Sequence, residues 1–346
     1  MIYFQCDYVE GCHPKILEKL TETNLEQTPG YGVDRYCESA RKKIQTACGL
    51  PEAEVHFLVG GTQTNLTVIA ALLRPWQGVL SAETGHINCH ETGAIEASGH
   101  KVLSLPSQDG TITGAQVREY CREHFGSGIK EHTVQPGMVY ISHPTENGTL
   151  YTKAQLTELK NACREYGLPL FIDGARLGYG LTSPDSDLSL QDIARLSDVF
   201  YIGGTKCGAM FGEAVVAANP ALAPDFRYMI KQRGGMLAKG RLMGIQFDVL
   251  FTDNLYFSIC EKAVRQALEI REAFCQAGMP LYGESHTNQQ FVMLTQGQMD
   301  RLGEKYAYEI WGPGGDGRTI VRFCTSWATR DEDVEALKKD IKALKM

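Results

Sequence analysis

Lys206 and Asp173 are the residues from which chemistry can first be argued. Lys206 closes the run Asp198-Val-Phe-Tyr-Ile-Gly-Gly-Thr-Lys206-Cys-Gly, an apolar strand followed by a glycine turn. It stands 33 positions after Asp173, which opens Asp173-Gly-Ala-Arg176 at the end of another strand-like run. An amine and a carboxylate at paired strand ends suit pyridoxal phosphate. The amine forms a Schiff base with the cofactor aldehyde, and the carboxylate keeps the pyridine nitrogen protonated so that the ring accepts electrons. The plain alternative for Lys206 is a solvated surface lysine, against which its glycine-rich, apolar setting argues.

Leu58-Val-Gly60-Gly61-Thr62-Gln63-Thr64-Asn65 has the make-up of a phosphate site: a strand, two glycines, hydroxyl and amide side chains, then a helical pattern through Leu73. Free N–H groups and the dipole at such a helix start favour an anion, and glycines let the main chain approach it. Alone, a Gly-Gly-Thr before a helix is more often a capped turn; its company with Asp173 and Lys206 reverses that reading. His86, in Ala82-Glu-Thr-Gly-His86, follows another strand and either stacks on the pyridine ring or caps the next helix. Arg176 can reach cofactor or a substrate carboxylate. Arg322, inside the apolar run Val321-Arg322-Phe-Cys-Thr, needs an anion, whether substrate or a structural partner.

From residue 55 to about 220, apolar runs alternate with helix-period segments. The runs Val55–Val59, Gly78–Ala82, Lys101–Leu105, Met138–Ser142, Pro169–Ile172, Val199–Ile202 and Glu213–Ala217 predict a seven-stranded, mostly parallel α/β sheet covered by helices. Ligands of such sheets collect beyond the carboxyl ends of the strands, where Gly60, Asp173 and Lys206 would emerge. After about residue 250 the pattern becomes a long helix, Leu255 to Ala277, strands around Gln290–Leu294 and Thr319–Cys324, and a final helix. We expect a large domain over 1–250 and a small α+β domain over 251–346, with segment 1–30 packing near the small domain or a neighbouring subunit. Thr329 and Glu332 read as a capping box for the last helix, and Val334, Leu337, Ile341 and Leu344 as its packing stripe.

A formal charge of -7 without a basic block argues against nucleic-acid or anionic-membrane partners, and no apolar run approaches a membrane span. The N-terminus lacks a signal pattern, so a cytoplasmic protein is expected. Eleven cysteines, odd in number and irregular in spacing, suggest reduced thiols rather than a disulfide framework. His86, Cys89 and His90 are the one tight group of metal-ligand types, and without a second ligand pair we expect no metal there.

Gly61-Thr62-Gln63, Gly85-His86, Asp173-Gly-Ala-Arg176, Thr205-Lys206 and Val321-Arg322 together resemble the threonine aldolase and β-eliminating lyase family of fold type I pyridoxal-phosphate enzymes, over essentially the whole chain. The resemblance implies phosphate contacts from Gly61, Thr62 and Gln63, ring stacking by His86, a ring-nitrogen partner in Asp173 and the Schiff base on Lys206. It also implies carboxylate binding by Arg176 and Arg322. Tyr31 in Tyr31-Gly32-Val33-Asp34 is similar to a tyrosine that enters a neighbour's active site, which implies a homodimer or tetramer. Three departures stand out. A carboxylate-binding serine is replaced by Cys6 in Gln5-Cys6-Asp7, a histidine near the substrate hydroxyl by Glu146 in Thr145-Glu146-Asn147, and a phosphate-binding segment by one offering Lys239 or Arg241.

The expected reaction is aldol cleavage of a β-hydroxy-α-amino acid such as L-threonine or L-allo-threonine to glycine and an aldehyde. His86, Glu146, His90, His143 or a water is the base that takes the hydroxyl proton. β-Elimination from a cysteine- or serine-type amino acid, transamination, and a silent cofactor-binding protein are the competing readings.

Overall fold

Apolar runs buried on both faces make most strands of the central sheet, and twelve strands occur among the described residues. They are β1 (Ile2–Tyr3), β2 (Glu54–Leu58), β3 (Gln77–Ala82), β4 (Val102–Leu105), β5 (Gln135–Ser142), β6 (Leu170–Asp173), β7 (Val199–Gly203), β8 (Glu213–Ala217), β9 (Gln289–Leu294), β10 (Tyr306–Ala307), β11 (Glu309–Pro313) and β12 (Thr319–Cys324). The structure is a computed structural model that describes residues 1–222 and 224–344.

The central sheet has the order β2-β8-β7-β6-β5-β3-β4. All seven expected runs lie in it, their ends shifted by up to three residues. Strands β3 to β7 are parallel, while β8 runs antiparallel to both β7 and β2. The parallel pairs are joined through helices. β8 instead returns from β7 through a short glycine-rich turn, which only an antiparallel neighbour permits.

Side chains alternate strictly across this sheet. Val139, Ile141, Ile172, Phe200 and Ile202 enter one core, and Met138, Tyr140, Phe171, Val199 and Tyr201 enter the other. Asp173, two residues past Phe171, therefore shares a face with Tyr140 and Tyr201. A third core gathers Phe4, Val292, Phe323, Val334, Leu337 and Ile341 around the antiparallel sheet β11-β12-β9. β1 pairs in parallel with β10, which ties the N-terminus to this region. The 22-residue helix Leu255–Gln276 joins the two halves, with Cys260, Ala263 and Val264 in the first core and Ile270 and Phe274 in the third.

The last helix begins later than its sequence pattern suggested. It spans Asp331–Ala343 with Arg330 at the N-cap and no side-chain cap. Thr329 does not cap it, because its hydroxyl accepts the Ser326 N–H at 2.8 Å within the preceding turn. Asp331, Glu332 and Asp333 in the first turn complement the helix dipole instead. The stripe of Val334, Leu337 and Ile341 is buried as expected, with Leu344 partly so. Among the described residues no helix is long and apolar enough to cross a membrane.

Candidate active site

The carboxyl ends of the parallel strands open onto a cavity of about 320 Å3. β6 delivers Asp173 and then Arg176, and the turn after β7 delivers Lys206. The turn after β3 brings His86, β5 leads to Glu146, and β2 leads to Gly61 and Thr62; all seven residues line the cavity. Register explains much of this convergence, since Ser142 pairs with Asp173, and Glu213 lies between Gly203 and Leu58.

Asp173 is the most heavily hydrogen-bonded acid of the site. Tyr201 OH and the Ala175 N–H donate to Oδ1 at 2.5 and 3.0 Å, and Tyr140 OH and Asn65 Nδ2 donate to Oδ2 at 2.6 and 3.0 Å. Burial pushes this carboxyl upward, but the nearby His86 charge and the phenol and backbone donors outweigh it, so the group stays below its ordinary value. A constant negative charge results. Asn65 also donates to Glu91 Oε1 at 2.7 Å, and that oxygen contacts His86 Nδ1 at 2.7 Å. Burial opposes the charged imidazole; Glu91 and Asp173 overcome it and raise the His86 pKa.

Lys206 sits among charges of both signs. Burial, then the Arg176 charge, lower its pKa, against the pull of Asp7, Asp173 and Glu213. Among the described residues no hydrogen bond holds its Nζ. Arg176 is anchored from behind: Nε and Nη2 donate to Asp7 at 2.7 and 2.9 Å, and Asn288 Nδ2 donates to the same carboxylate at 2.8 Å. Burial would raise Asp7, yet Arg176 and Lys206 hold it down at about 2. This leaves Nη1 of Arg176 on the free edge of the guanidinium.

Glu146 and His86 are two further titratable groups on the cavity wall. Glu146 Oε1 accepts Ser142 Oγ at 2.6 Å and the His86 N–H at 3.1 Å, whereas buried Oε2 has no partner. Burial raises its pKa, only partly opposed by Ser142. His143 lies behind the wall, where burial depresses it to about 4 and Nδ1 accepts the Tyr151 N–H at 3.4 Å. His90 is exposed, with its ring 5.5 Å from that of His86.

Other expected site residues lie outside the cavity. Gln63 is a structural latch that accepts the Val59 N–H at 3.2 Å and donates to Arg233 O at 3.1 Å. Cys6 is buried beside Asp7, and Lys239 is exposed. Arg241 is spent on Thr23 and Glu26 carbonyls. Tyr31, 47% exposed with a φ of 60°, packs its ring 4.8 Å from Lys231 Nζ on the outer surface. Arg322 is paired with Glu309, donates to Gln289 at 2.8 Å and stacks 5.1 Å from the Trp311 ring. Sequence reasoning missed the parts played by Glu91, Tyr140, Tyr201 and Glu213; Asn65 it placed in the phosphate motif rather than on Asp173, and Asp7 it quoted without a role. Asp7 and Glu213 carried a faint signal, as acids beside or within apolar runs.

These groups fit a ligand that has an aldehyde, a basic ring nitrogen and a phosphate. The amine and the acid face one cavity, and the helix Gly61–Leu72 starts at Gly60 without any side-chain cap, so its first N–H groups remain open to an anion. No Cβ-sized obstacle lies within 4 Å of Gly60.

The chain matches the beta-eliminating lyase family model over residues 4–341. A low specificity L-threonine aldolase of Pseudomonas aeruginosa is 30% identical across 98% of this chain and 96% of its own length. A solved threonine aldolase of Leishmania major superposes with a TM-score of 0.97 at 44% identity, with 100% of both chains covered. An aspartate aminotransferase of Thermus thermophilus shares the fold at TM-score 0.73 and 15% identity, over 99% of this chain and 91% of its own.

Proposed function

Because the chain belongs to the beta-eliminating lyase family, and to the threonine aldolases within it, we infer that it is a pyridoxal-phosphate-dependent carbon–carbon lyase that cleaves threonine to glycine and an aldehyde. The observation that carries this reading is the shared cavity of Lys206, Asp173 and the open helix start at Gly61. Bound pyridoxal phosphate supplies the carbonyl carbon that captures amines and the ring that accepts electrons.

Lys206 is the amine that holds the cofactor. Asp173, fixed as a carboxylate by two phenols and Asn65, keeps the ring-nitrogen proton in place. Gly61 and Thr62 receive the phosphate, and His86 covers the ring while Glu91 fixes its orientation. Arg176 offers Nη1 to the substrate carboxylate, its other edge being locked to Asp7. Arg322 joins it only when Glu309, 43% exposed at its side chain, swings away. A clamp on the substrate carboxylate would fix the orientation of its Cα–Cβ bond, and that orientation would select which bond breaks.

Cleavage requires removal of the β-hydroxyl proton as Cα–Cβ opens. Glu146, whose pKa burial raises, can take it, and His86 on the same wall is a second group able to do so. Tyr31 and Lys239, both on the surface of one chain, serve the active site of an adjoining copy in a homodimer or tetramer. Eleven free thiols agree with a reducing cytoplasm.

The test is to incubate the cofactor-loaded protein with L-threonine, L-allo-threonine and β-substituted amino acids and identify the products by mass. Glycine with acetaldehyde is expected. Pyruvate alone, or no product, overturns the reading.

A further inference from the structure

Glu213 is a buried acid that the mechanism above does not use. It opens β8 at the cavity end of the sheet, 3% exposed, level with Gly203 on one side and Leu58 on the other. Its carboxylate grips the turn that carries the lysine: the Gly204 N–H donates to Oε2 at 3.0 Å and the Thr205 hydroxyl donates to Oε1 at 2.8 Å. Thr205 Oγ1 in turn accepts the Gly212 N–H at 3.0 Å, which closes the loop back onto β8. The same acid lines the cavity together with Lys206.

We propose that Glu213 is a positioning residue that fixes the Lys206 turn and, from that turn, adds to the negative charge that favours the Lys206 ammonium, a role that rests on Lys206 being the cofactor-bearing lysine. Two uncharged donors meet both carboxylate oxygens, and Lys206, on the same turn and in the same cavity, is the cation that favours the charged acid. Burial lifts Glu213 to about 7, against the downward pull of its two donors and of Lys206. The other charges facing the pair are Arg176, which disfavours the ammonium form, and Asp7 and Asp173, which favour it; His86 lines the same cavity, and His90 is exposed beyond it. Tyr201 lies close enough for Glu213 to raise its phenol.

Aldehyde capture needs the neutral amine. The Nζ lone pair attacks the carbonyl carbon, a C=N bond forms, and the oxygen leaves as water with both amine hydrogens. A carboxylate at the turn stabilises the unreactive ammonium, whereas a protonated Glu213 does not. Glu213 therefore makes capture and release of the cofactor by Lys206 respond to pH near neutrality.

The experiment uses the full chain, stripped of cofactor and returned to pyridoxal phosphate, with the rate of visible absorbance growth followed from pH 5.5 to 9. In Glu213→Gln the midpoint of this profile should fall by roughly one pH unit, the low end of what a close opposite charge supplies, so that capture between about pH 7, where Glu213 ionises, and the wild-type midpoint is up to about tenfold faster, while below about pH 7 the two proteins converge. Thr205→Val and Glu213→Asp disturb the turn but keep the charge, and should slow capture without moving the midpoint. An unmoved midpoint in Glu213→Gln overturns the proposal, and so does a midpoint that moves equally with the charge-retaining variants. Absence of a borohydride-fixed label on wild-type Lys206 would instead remove the reading beneath it.

Discussion

Replacing Asp7 with asparagine removes one charge from a pair sealed inside the protein while leaving its shape. The wild-type carboxylate accepts two bonds from Arg176 and one from Asn288 and is fully buried. An asparagine offers one oxygen to those donors and turns an N–H2 toward the guanidinium. Two estimates bracket the cost. Asp7 is held at about 2 instead of 3.8, which at about 1.4 kcal/mol per unit amounts to about 2–3 kcal/mol. The sign follows from a depressed folded pKa: this stability is present above the ordinary carboxylate pKa and lost as pH falls through about 2. Removing one partner of a buried pair outright costs about 3–5 kcal/mol. With an unfolding entropy of about 2.1 cal/mol/K per residue, or about 0.7 kcal/mol/K for the 346-residue chain, the melting temperature should drop by ~3–7 °C. Differential scanning calorimetry at pH 7 reads that shift, and steady-state kinetics should show KM for threonine rising several-fold as Arg176 loses its support. A drop below about 1 °C with unchanged KM would refute the role given to Asp7.

Three further substitutions probe the site. Glu146→Gln should lower kcat by about 10²–10⁴-fold with cofactor affinity retained; normal turnover would pass the proton transfer to His86 or a water. Glu91→Gln removes one of the two carboxylates, with Asp173, that raise the His86 pKa, whose stabilising effect is full below about 6.5 and fades as pH rises through the higher folded value. The variant's melting temperature should therefore vary less with pH across that window, and an unchanged slope counts against a charged His86. Glu309→Gln frees Arg322 and should lower KM for threonine if that guanidinium serves the substrate carboxylate, while an unchanged or higher KM confines Arg322 to a structural part.

The central sheet was legible because each strand is an apolar run buried on both faces, and the site's outline was legible because Gly61, His86, Asp173 and Lys206 follow such runs directly. What surrounds them was not. Tyr140 and Tyr201 look like ordinary core aromatics, and only the shared face of β5, β6 and β7 turns their hydroxyls onto Asp173. Asn65 was in view within the phosphate motif, but its link to Asp173 spans 108 positions and depends on how the helix Gly61–Leu72 lies across the sheet. Asp7 lies 169 positions from Arg176, a separation no local pattern encodes. The capping box read at Thr329 failed for the opposite reason, since a closer turn captured the hydroxyl that the motif assigned to the helix.

The most direct measurement of the central claim is borohydride reduction of the cofactor-loaded protein, followed by proteolysis and mass analysis of the peptide that carries the pyridoxyl group. The account predicts a single label on Lys206, lost in Lys206→Ala together with the visible absorption. A label on another lysine, or none, contradicts it.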